Sequence, residues 1–123
     1  MASVFPKVIV KRIEEGAFNN DLKGPIVYTT TPLGANESFT SDLYSTAGYG
    51  KIVGTVFSDK DGVLYVGQSA DGTNIDCIST FYIFANGAYG FVVDVVAPYF
   101  SVKYENGSEA QSVFRLYVFL RRF

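Results

Sequence analysis

Apolar and polar positions alternate with period two along much of this chain, most regularly in its last third. Phe100, Val102 and Tyr104 alternate with Ser101, Lys103 and Glu105, which predicts a strand with one buried and one wet face. In the final run, Phe114, Leu116, Val118 and Leu120 share one face, while Val113, Tyr117 and Phe119 crowd the other beside Arg115. A strand apolar on both faces is central to a two-sided core or is covered by something outside the domain. Upstream, the pattern predicts strands over Glu37–Tyr44, Lys51–Phe57, Val63–Gln68, Ile75–Phe84 and Tyr89–Val96. The turns between them are signalled by Asp61-Gly62, Asp71-Gly72, Asn86-Gly87 and Asn106-Gly107, and Ala97-Pro98 marks a corner.

These elements amount to about eight strands with turn signals every eight to twelve residues and no convincing helix. The expected fold is all-β, an antiparallel β-sandwich of jelly-roll kind over residues 34–123, with a simple barrel second. Residues 1–33 have no such periodicity. Gly16 and Asn19-Asn20-Asp21 interrupt any helix, and Pro25 and Pro32 bracket the extended IVYTTT stretch. That stretch reads as an edge strand or as part of an arm. The arm is preferred, extending over residues 1–33, with Val4, Phe5, Val8 and Phe18 as clasp residues for a neighbour.

Composition narrows the function classes. At 123 residues, with nearly half of them hydrophobic and 20 Phe or Tyr, the chain forms one domain with a sizeable core. Between Gly24 and Phe114 nine acids face three lysines, whereas the tail from Arg115 has three arginines and no acid. An acidic body does not fit nucleic acid, and no run is long and apolar enough for a membrane span. No signal peptide is expected from the first residues. Cys77 is the one cysteine, and its apolar neighbours predict a buried thiol.

The chain contains no histidine, which removes His-based triads and His-ligated metals, and it has no G-x-S-x-G elbow. No enzyme activity is expected, although two carboxylates converging in space would still permit a hydrolase. Asp59 and Asp61, with Asp71 or Asp76, form a candidate calcium set. The EF-hand spacing is absent, however, and Asp and Gly are ordinary turn formers, so neither metal nor cofactor is expected. Asp94, set among four valines, is expected to point outward with Val92 and Val96, and Arg115 is its candidate mate. The tyrosines, including Tyr65, Tyr82, Tyr104 and Tyr117, suggest sugar stacking, but no Trp is present and most of them fall inside strands.

The Gly62–Asn74 hairpin, the D-V-V-A-P-Y run at Asp94–Tyr99, V-K-Y-E-N-G at Val102–Gly107 and F-R-L-Y at Phe114–Tyr117 together resemble small β-sandwich virion proteins of tailed bacteriophages, of the capsid decoration (cement) or head- and tail-fibre kind. The resemblance covers about two thirds of the chain and rests mostly on turn chemistry. It implies a non-enzymatic virion protein, made in the host cytoplasm, that forms a homo-oligomer (a trimer is favoured) and clamps the major capsid protein or another virion protein. The expected self-assembly surface is Val113, Arg115, Tyr117 and Phe119. The S-x-D-G hairpin is also similar to discoidin-like jelly rolls, which implies the alternative of a carbohydrate-binding module, possible also on a virion.

Overall fold

The computed structural model describes residues 21–123, and its nine elements are all strands. They are β1 (Leu22–Thr29), β2 (Ser38–Thr40), β3 (Tyr44–Ser45), β4 (Lys51–Ser58), β5 (Gly62–Ser69), β6 (Cys77–Ile83), β7 (Ala88–Asp94), β8 (Tyr99–Asn106) and β9 (Phe114–Arg121). One sheet has the order β1-β9-β4-β7. The other has the order β2-β8-β5-β6, with β3 also pairing β8. All pairings are antiparallel. This is jelly-roll winding, with the chain folded back on itself as one long hairpin and then rolled into two sheets. The tip of the hairpin is the Asp71–Gly72 turn. Pairs such as Gly62 with Ile83, Lys51 with Asp94 and Val27 with Val118 lie almost equally far from it on either side.

Alternation decides which side chains meet between the sheets. β9 contributes Phe114, Leu116, Val118 and Leu120, all buried, as the period-two reading required. They face Phe100, Val102 and Tyr104 of β8 and Leu64 and Val66 of β5 in one core. Aromatic pairs cross the gap: Tyr104 lies 4.7 Å from Phe114 and Phe81 lies 5.7 Å from Phe91, between ring centroids. Buried amides tie the two ends of the sandwich. Gln68 Nε2 donates to the Asp94 carbonyl at 2.9 Å, and its Oε1 accepts from the N–H groups of Val96 and Ala97. At the opposite end, Gln111 accepts from Leu33 N–H and donates to Ser58 Oγ.

The structure corrects several expectations. The arm expected over 1–33 does not extend through its described part, because Leu22–Thr29 form β1 and Val27 is buried against the core. Pro25 is tolerated because it lies where the β1–β9 register shifts, between Lys23 and Val27, on a sheet edge. Val4, Phe5, Val8 and Phe18 lie outside the described residues. The single strand expected over Glu37–Tyr44 is two short ones. Ser41 separates them, its Oγ accepting the Val102 N–H in place of a backbone carbonyl. Cys77 is exposed rather than buried. It opens an edge strand, and its apolar neighbours Ile75 and Ile78 are themselves exposed.

Candidate interaction surface

The outward side chains of β9, β4 and β7 form rows across the solvent face of the first sheet. Register places Phe119 beside Val53 and Val53 beside Val92. The next row runs from Tyr28 through Tyr117 and Thr55 to Gly90, and the third joins Arg115, Phe57 and Ala88. The middle of this face is therefore a hollow of small side chains between aromatic ones. One depression, of about 490 Å³, runs past Val53, Thr55, Gly90, Val92 and Phe119 to Phe123. A second, of about 360 Å³, is walled by Phe57, Arg115 and Tyr117. Tyr28 and Val92 are more than half exposed.

Charge frames the apolar centre. The Arg115 guanidinium sits over the Phe57 ring, 4.6 Å from its centroid, a cation–π contact. Asp94 pairs with Lys51, its register partner on β4, and not with Arg115. Asp94 does point outward as expected, but Arg115 lies two strands away, opposite Phe57. Of the expected assembly residues, Arg115, Tyr117 and Phe119 share this face. Val113 is exposed but precedes the strand, where its N–H is held by Asp59 Oδ1 at 3.1 Å. Tyr28, Val53 and Phe57 belong to the same sheet face and were missed, whereas Val92 points outward with Asp94 as expected. Their alternation was readable, but their alignment across strands was not.

The acids once grouped as a calcium set are used in the loops. Asp71 Oδ1 accepts from the N–H groups of Thr73 and Asn74, both at 2.8 Å, and its Oδ2 accepts from Asn74 Nδ2. These bonds hold its carboxyl well below the usual carboxylate range. Asp59 accepts from Ser112 and Val113, whose N–H groups lower its pKa, and Asp61 accepts from Ala85. Among the described residues no cluster of three His, Cys, Asp or Glu is arranged to hold a metal ion.

The second sheet has a smaller outward hollow, of about 280 Å³, between β5, β6 and β8. Tyr65 Oη donates to Glu105 Oε1 at 3.2 Å, Lys103 pairs with Glu105 at 3.1 Å, and Ile75 and Ile78 form the apolar wall. Hydrogen bonding from Lys103 lowers the Glu105 pKa.

Residues 17–121 match the family model described as the uncharacterised protein YqxG N-terminal domain. The chain belongs to this family. Its fold is similar to that in the crystal structure of PBSX exported protein XepA, with a TM-score of 0.72 and 22% identity. The match covers 80% of this chain and 38% of that one, so this YqxG-type domain spans well under half of the XepA chain. No curated protein matches it.

Proposed function

We propose that this YqxG-type domain is a non-enzymatic structural component of a bacteriophage particle, of the capsid decoration or cement kind, whose copies pack through the solvent face of the β1-β9-β4-β7 sheet. The observation that carries the proposal is the apolar row on the side away from the core, in which Tyr28 and Val92 are more than half exposed, Tyr117 and Phe119 are partly exposed, and Val53 lies covered between Phe119 and Val92. Soluble monomers usually avoid a patch of this kind, and each aromatic covered at a contact contributes about 1.5–3 kcal/mol. The likeness to the PBSX exported protein XepA supports the phage association. In this reading the segment with Val4, Phe5, Val8 and Phe18 clasps a neighbouring shell protein. The test is to purify phage particles on a density gradient and probe them for the chain. Presence at a fixed copy number per particle is expected, and absence from particles would overturn the proposal.

A carbohydrate-binding role is the second reading, and the Tyr65–Glu105–Lys103 hollow favours it. A phenol, a carboxylate and an ammonium converge there beside apolar walls, the mixture that orients a polyhydroxylated ligand. A glycan array with the native chain and Tyr65→Ala tests it. Binding lost in the variant supports the reading, and no binding by the native chain removes it.

A further inference from the structure

Among the described residues the two sheets have four edges, and three of them are blunted. β1 has Lys23, Pro25 and a register shift, β2 and β3 share one edge and are three and two residues long, and β7 ends in Asp94 and contains Gly90. β6 is different. It is seven residues long, CISTFYI, with neither Gly nor Pro, and the chain has no charged residue from Cys77 through Val93. Among the described residues no strand pairs with its outer edge. Natural sheets protect such edges with charge, proline or bulges, because an open row of N–H and C=O groups templates another strand.

The pattern of β6 is self-complementary. In an antiparallel pair centred on Thr80, each Ile78 lies opposite Tyr82 of the other copy, and both side chains point to solvent in the single chain, at 59% and 68% exposure. On the other face of the strand, Ser79 would meet Phe81, a small side chain opposite a large one. Beside this edge a cleft of about 310 Å³ between β6 and β7 reaches the core side chains Val56, Leu64 and Phe91. A strand added along β6 would cover its mouth. With no charge on the edge, two copies meet without like-charge repulsion, whereas a charged partner segment would be desolvated against it.

We propose that two copies of this chain join by antiparallel pairing of β6 with β6 about a two-fold axis at Thr80, so that the second sheet runs on through both copies. This contact is separate from the packing face on the first sheet and does not depend on it. A two-fold contact combined with a different contact elsewhere lets copies extend into larger assemblies.

The test uses the full chain with Cys77→Ser, so that introduced cysteines are the only ones. Thr80→Cys places two thiols on the axis, with Cα atoms within the separation a disulfide spans. Under mild oxidation it should give a covalent dimer in high yield. Ser108→Cys, exposed in the loop after β8 and away from both surfaces, and Tyr82→Cys, off the axis, should give little. Thr80→Lys, a substitution at an exposed position, should leave the fold intact by circular dichroism and shift sedimentation to smaller species. A folded Thr80→Cys chain that does not cross-link, or that cross-links no better than Ser108→Cys and Tyr82→Cys, would overturn the proposal. Unchanged sedimentation of folded Thr80→Lys would do the same. Loss of dimer in Thr80→Lys but not in first-sheet variants separates this contact from the packing face.

Discussion

The rings of Tyr28 and Tyr117 lie parallel, 1° apart in plane and 5.9 Å between centroids, on the solvent side of the first sheet. They are register partners on β1 and β9, so the stack fastens the edge strand to its neighbour while leaving Tyr28 largely exposed. Stacked aromatic pairs contribute about 0.5–1.5 kcal/mol beyond the area they bury. A double-mutant cycle with Tyr28→Ala and Tyr117→Ala, read by urea unfolding, should give a coupling in that range. Coupling near zero would mean that β1 is held by its backbone and by Val27 alone.

Gln68 should be among the most sensitive positions outside the hydrocarbon core. Gln68→Leu keeps the volume but leaves the Asp94 carbonyl and the Val96 and Ala97 N–H groups without their partner. A fully buried group left unsatisfied costs about 1–3 kcal/mol and these three bonds are part-buried, so a total loss of about 1–3 kcal/mol is expected in denaturant unfolding. A loss under about 1 kcal/mol would show that water replaces the amide at that end of the sandwich.

Gly54 on β4 should not tolerate a methyl group. A Cβ there would lie 2.2 Å from the Tyr117 carbonyl oxygen and 2.6 Å from the Phe91 ring. Gly54→Ala therefore forces the β4–β9 ladder or Phe91 to move, at a cost of about 1–3 kcal/mol. Gly48→Ala, where a Cβ meets nothing within 4 Å, tests a different effect, the strain of its φ of +88° alone. If Gly54→Ala proved no worse than Gly48→Ala in thermal melting, the close approach would be of no consequence.

The Asp71 turn sets a pH dependence. The folded pKa of Asp71 is held below its ordinary value of 3.8 by the N–H groups of Asn74 and Thr73. Its stabilising contribution is therefore present above the unfolded pKa and is lost as pH falls through the folded one. Asp71→Asn should melt at a lower temperature than the native chain at pH 7. The gap should narrow steadily as the pH is lowered below about 4, the ordinary carboxylate range. A gap independent of pH would remove the carboxylate from the explanation.

How far the fold was legible depended on where each signal resides. The β9 face was readable because Phe114, Leu116, Val118 and Leu120 alternate without interruption, and alternation is a property of one strand. The Asp71–Gly72 turn was readable as a turn, but its place at the tip of the whole winding was not, since that follows from pairing at a distance. β1 reads in the sequence as an edge strand or part of an arm, and the arm is preferred because residues 1–33 lack periodicity; only the pairing with β9 reveals the strand, and the register shift beside Pro25 shows why proline is accepted. Asp94 was given the wrong cation for the same reason. Lys51 and Arg115 are both available in the sequence, and only the β4–β7 register selects Lys51. The Tyr65–Lys103–Glu105 hollow joins β5 and β8, strands far apart in sequence, and no local pattern marks it.

The central claim is that the face built around Tyr117 and Phe119 is a packing surface, and sedimentation velocity of Phe119→Asp tests it most directly. Phe119 points away from the core beside Val53, so the variant should keep its β-sheet circular dichroism while its mass distribution shifts to smaller species. Val92→Asp, at a more exposed position on the same face, should behave alike and guards against a folding effect peculiar to Phe119. If both variants are folded and sediment as the native chain does, this face is not where copies meet.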